Sequence, residues 1–151
     1  MKKVLIACSL LMGLTFQSCS KDDDDDDNDS MTKAELLCSE GWLLESAMIS
    51  LNGADVDAKS MLFTECQLDN ITSYAMDNTL DVDEAANLCS GANQNESGTW
   101  TLSDDEETLS VTVLGLTTET NIEAISESSI TLSSETEYLG MTATLTISFT
   151  H

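Results

Sequence analysis

Ser97-Gly98-Thr99-Trp100-Thr101-Leu102, a polar turn from Ser103 to Glu107, and then Thr108-Leu109-Ser110-Val111-Thr112-Val113 form the stretch that decides the fold. Trp100 and Leu102 fall on one face. So do Leu109, Val111 and Val113, with serine or threonine between them. An apolar period of two, interleaved with small polar residues, is the pattern of a half-buried antiparallel strand. It returns at Ile130 and Leu132, and again at Ala143, Leu145, Ile147 and Phe149.

Working outward, Trp42 to Leu51 is mostly apolar and ends in Asn52-Gly53, a strong tight-turn signal. Asp55 to Thr64 is less regular and reads as a loop or a helical turn. Ile71 to Met76 and Thr79 to Asp83 are two short strands about Asp77-Asn78, and a polar loop from Ala85 to Glu96 follows. The total is about eight strands, near 42–51, 71–76, 79–83, 97–103, 108–114, 118–126, 129–137 and 142–150. Short connections make sequence neighbours spatial neighbours. The expected architecture is therefore all-β, an antiparallel up-and-down barrel that leaves no free sheet edge, with a two-sheet sandwich as the alternative.

The N-terminus reads differently. Lys2 and Lys3 precede an apolar run from Val4 to Phe16 that is too short for a permanent span of about 20 residues, as in an export signal. Ser18 stands directly before Cys19, and polar residues follow at once. This resembles the bacterial lipobox, whose cysteine is acylated and becomes the new N-terminus. Residues 1–18 are then a signal peptide and Cys19 the lipidation site. Ser20-Lys21-Asp22-Asp23 is similar to the surface-export tag of Bacteroidetes lipoproteins, which implies an outer-membrane, cell-surface location. Asp22 to Asp27 repel one another and bury nothing, so residues 19–35 are expected to form an extended acidic tether. The run has neither the glycine nor the turn of a calcium loop, and no metal site is assigned to it. The barrel domain is expected over 36–151.

Formal charge is −23 with five basic residues, all lysine. Residues 31–151 hold 21 acidic side chains against Lys33 and Lys59, a net −19, and no lysine or arginine follows Lys59. Such a surface repels phosphate backbones, which argues against a nucleic-acid partner. With His151 the single histidine, no zinc spacing and no nucleophile beside a base can be found, so no catalytic residue, cofactor or enzymatic role is assigned.

Of the five cysteines, Cys38, Cys66 and Cys89 remain in the domain and permit three single pairings. Cys66 and Cys89 flank one predicted hairpin and are the expected disulfide, worth about 3 kcal/mol by loop closure. Cys38 is then a small buried hydrophobe or, alternatively, a reactive or partner-linked thiol.

Gly41-Trp42, Cys66-Gln67-Leu68-Asp69-Asn70, the Tyr74 to Asp83 hairpin, Cys89 and Ser97-Gly98-Thr99-Trp100 occur in the order found in lipocalin-like domains of Bacteroidetes lipoproteins, which the chain resembles over most of its length. The resemblance implies a small lipocalin-like barrel. Eight strands enclose either a packed core or room for one small molecule. Trp42, Met48, Tyr74 and Trp100 are the candidate lining of an apolar pocket, and without basic side chains such a pocket suits an apolar or amphipathic ligand. The other reading is a packed barrel that contacts a protein partner.

Overall fold

In the computed structural model, residues 31–151 are described. The signal peptide, Cys19 and the aspartate run lie outside them. Helix α1 (Lys33–Leu37) is followed by β1 (Gly41–Leu51), β2 (Ala54–Asp57), α2 (Lys59–Leu62), a 3-10 turn (Glu65–Gln67), β3 (Ile71–Tyr74) and β4 (Thr79–Asp83). The chain continues with β5 (Asn95–Leu102), β6 (Thr108–Val113), β7 (Leu116–Ile125), β8 (Ser129–Tyr138) and β9 (Met141–Thr150). All pairings are antiparallel in one sheet, and β9 pairs back onto β1, so β1 and β3 to β9 close an eight-stranded up-and-down barrel. The expected barrel is therefore the observed fold, and the two-sheet sandwich is excluded.

The ninth strand was not expected. β2 lies in the stretch read as a loop or helical turn; the Asn52-Gly53 turn, with both residues at positive φ, folds it back so that Met48 faces Asp57 and Leu51 faces Ala54. Its Ala-Asp-Val-Asp is exposed at three of four positions, so no apolar alternation marks it. The expected helical turn follows as α2.

This arrangement leaves a gap along β1. β3 pairs with Gly41 to Leu43, and β2 with Met48 to Leu51. Between them the fully buried Ala58 donates its N–H to Ala47 O at 2.8 Å, and Lys59 Nζ donates to Leu44 O (3.1 Å) and Glu45 O (2.9 Å). A lysine thus satisfies carbonyls that neither strand reaches.

α1 closes the end of the barrel where β1 begins. Thr32 and Glu35 form a reciprocal capping box, so the folded body starts inside the 19–35 stretch assigned to the tether. Leu37 is buried among the barrel side chains, Trp42 Nε1 donates to Leu37 O at 2.8 Å, and Lys33 Nζ donates to Glu106 O at 2.8 Å. The His151 ring lies 4.1 Å from that of Trp42.

The main core gathers Leu37, Trp42, Leu80, Trp100, Leu109, Ile130 and Leu132. A smaller one, Ile49, Ala58 and Ala143, fills the opposite end beneath α2. Gly98 has a packing role: an added Cβ would collide with the backbone oxygen of Thr112, so β5 and β6 approach this closely only around glycine.

Candidate functional site

Three of the four candidate pocket residues meet inside the barrel. Trp42 and Tyr74, with Thr72, Ile130, Leu132 and Phe149, surround one interior void. Tyr74 meets Trp100 edge to face, centroids 5.8 Å apart at 89°. Trp42 is 1% and Trp100 4% exposed, and each indole N–H is already used, that of Trp100 donating to Ala75 O at 3.0 Å. Burial pushes the Tyr74 phenol well above its ordinary pKa and keeps it neutral.

Met48 does not join them. Ala47 and Ile49 point inward, so alternation turns Met48 to the outer face, opposite Asp57 on one side and Thr146 on the other. The β-bulge at Leu44/Ser46 shifts the parity of β1, which counting from Trp42 could not anticipate.

The void measures about 10 Å³. That is the space of a single water, whereas pockets for small organic molecules run from about 300 Å³ upward. A depression of about 430 Å³ on the outside, over Ser73, Thr79, Asp81 and Ser97, is open to solvent. Its carboxylate is engaged within the sheet, Asp81 accepting from Asn95 Nδ2 at 2.6 Å and from Ser97 Oγ at 3.2 Å. Neither space is built to hold a ligand.

The cysteine motif has a structural use. Cys66 and Cys89 form the expected disulfide, with Cα atoms 5.2 Å apart, and Cys38 is free and half-buried. Asp69 Oδ2 accepts from the N–H groups of Ala86 (3.2 Å) and Asn87 (3.1 Å), and the buried Glu84 accepts from Asn70 Nδ2 and Cys89 N, both at 3.0 Å. The Cys-x-x-Asp-Asn segment thereby clamps the β4–β5 loop from below. Oδ1 of Asp69 and Oδ1 of Asn70 are enclosed without partners. Among the described residues, however, no three His, Cys, Asp or Glu side chains converge to hold a metal.

Apolar side chains are exposed instead at the end of the barrel opposite α1. The β6–β7 and β8–β9 turns, Leu114-Gly115 and Leu139-Gly140, each place a leucine at positive φ, 53° and 54°. Leu114, Leu116 and Leu139 are 75%, 76% and 78% exposed, with Met141 and Leu88 beside them on the same rim. Asparagine or aspartate would suit such turns better, so two exposed, strained leucines are a costly choice for a turn alone. Reading the strands for their inward faces passed over these tips; Leu-Gly between two alternating runs was the signal. No protein-family model matches the chain, and comparison with curated proteins finds no match. Among the described residues no helix is long and apolar enough to cross a membrane.

Proposed function

We propose that this chain is a lipocalin-like lipoprotein, anchored through acylated Cys19 to the outer membrane and exposed at the cell surface, whose packed barrel serves as a scaffold for contact with a protein partner. The observation that carries this is the filled interior: about 10 Å³ remains where the candidate pocket residues meet. Carriage of an apolar ligand by the same barrel would require Trp42, Tyr74 and Phe149 to move apart, against packing that already satisfies both indoles. The exposed leucines support the contact reading. They sit at the end remote from α1, and the tether joins the domain at α1, so the rim is turned away from the anchor. Lys33 and Lys59 both bond main-chain carbonyls, which leaves the charge of the domain to favour basic partners.

Native mass spectrometry of the protein taken from its own envelope under mild conditions tests this. The bare mass of the acylated chain is expected, together with a cross-linked protein neighbour. A discrete small-molecule mass lost on denaturation would overturn the packed-scaffold reading in favour of a carrier.

A further inference from the structure

β7 and β8 are paired only along part of their length. Pairing runs from Ile125 opposite Ile130 to Asn121 opposite Ser133 and stops there. Beyond that point β7 stays bound to β6 as far as Leu116, and β8 to β9 as far as Tyr138. The facing edges, 116–120 and 134–138, have no strand between them. The barrel is closed at the α1 end and slit at the other.

The cause is electrostatic. Continuing the register would set Glu119 against Glu135 and Thr117 against Glu137. Like charges directly opposed across a ladder are destabilising, and no basic side chain of this domain is free to come between them. Both flanking hairpins have two-residue turns with positive φ at both positions, so Val113 with Leu116 and Tyr138 with Met141 are the first hydrogen-bonded pairs. Counting by twos from there, Thr117 and Glu119 on β7, and Glu135 and Glu137 on β8, aim their main-chain groups into the slit. Leu116 to Glu119 are exposed at every position. Side chains divide by face: Leu116 and Thr118 line the inner side, while Glu119, Glu135 and Glu137 stand on the outer side. At the mouth, Leu114 and Leu139 cap the two hairpins.

The geometry points to the slit between β7 and β8 as a β-strand addition site for an extended segment of a partner protein that carries lysine or arginine on alternate residues and apolar residues between them. Backbone groups of the segment pair with the free edges. Its basic side chains lie among Glu119, Glu135 and Glu137, and its apolar ones face Leu116 and the barrel interior. A segment of this kind removes the repulsion that holds the strands apart. The site deepens, and rests on, the protein-contact reading above.

The test is amide hydrogen exchange of the purified protein, resolved by residue, with and without a short synthetic peptide alternating lysine and valine. The amides of Thr117, Glu119, Glu135 and Glu137 should exchange at least about tenfold more slowly with the peptide, and the protection should weaken with salt. Glu119→Lys places a cation opposite Glu135, so the slit should zip on itself: the same amides become protected without peptide, and affinity falls at least about tenfold. Glu127→Lys makes the same charge change at the β7–β8 turn, the other end of the barrel, and should shift affinity by less than about twofold. Protection absent or located elsewhere, or equal losses in the two variants, would overturn the site. Concentration-dependent protection of these amides without peptide would assign the slit to a second copy of this chain and overturn the basic partner. The two readings fail separately: a carried small molecule removes the protein-contact reading and leaves these amide measurements standing, while unprotected amides remove only the slit.

Discussion

Trp100→Ala tests the filled interior directly. The ring is 4% exposed, packs edge to face on Tyr74 at 5.8 Å and donates its N–H to Ala75 O at 3.0 Å. Truncating a buried aromatic in a core that relaxes only partly costs about 3–5 kcal/mol. The lost ring pair contributes roughly 0.5–1.5 kcal/mol of that, and the freed Ala75 carbonyl about 1 kcal/mol. A domain of this size has a total stability of roughly 6–18 kcal/mol, so the variant should still fold. Its Tm should drop by roughly 12–20 °C. The cavity left behind is apolar and enclosed, and it should bind a benzene-sized molecule that the unmodified protein excludes. Urea unfolding gives the first quantity, and thermal shift with benzene present gives the second. A loss under about 1.5 kcal/mol, or equal stabilisation of both proteins by benzene, would show that the interior was open from the start.

Other expectations follow from single contacts. Reducing the Cys66–Cys89 disulfide, which closes a loop across a sequence separation of 23, should cost about 3 kcal/mol in a denaturant titration; an unchanged midpoint would mean that the clamp by Asp69 and Glu84 suffices alone. Lys59→Met keeps the aliphatic stem but strands the carbonyls of Leu44 and Glu45, for a loss of about 1–3 kcal/mol; no loss in the same assay would mean that water serves them as well. Burial, reinforced by the charge of Asp77, pushes the Cys38 thiol up, so its alkylation rate should rise only above the pH at which a free cysteine reacts, and Asp77→Asn should bring that pH down. Rapid labelling of the native protein at neutral pH would contradict this. Hydrogen bonds from Thr79, Gln94 and Ser103 hold the carboxyls of Asp77, Asp83 and Asp105 below the usual carboxylate range. Their folded values lie under their unfolded ones, so their contribution is complete above the ordinary aspartate pKa and is lost as pH falls through the folded values. Asp77→Asn, Asp83→Asn and Asp105→Asn together should flatten the acid limb of a stability–pH curve, and an unaltered limb would refute the assignment.

The strand plan could be read from the chain because each strand carries its own record. Leu109, Val111 and Val113, or Leu145, Ile147 and Phe149, alternate with threonine and serine, and a period of two needs no knowledge of the partner strand. β2 escaped because an edge strand with neither face covered has no alternation to show. α1 escaped although Thr32-Lys33-Ala34-Glu35 has the spacing of a capping box, since the acidic run before it dominated the reading of that segment. Trp42, Tyr74 and Trp100 were found as inward aromatics and do cluster, whereas Met48 was assigned to the wrong face because one bulge inverts the parity of everything after it.

The sequence by itself determined what is local: all-β character, the order and approximate ends of the strands, the turns at Asn52-Gly53 and Asp77-Asn78, the acidic surface, and the choice of Cys66 and Cys89 as the cystine. The tertiary structure alone decided that β9 returns to β1, that the aromatic side chains leave a void of about 10 Å³, and that Glu119 falls in register with Glu135. Periodicity and turn chemistry are written into a few consecutive residues, so they can be recognised one segment at a time. Closure, packed volume and cross-strand register depend on residues up to a hundred positions apart being placed together, and on bulges that change which face a residue takes; they exist only once the chain has folded.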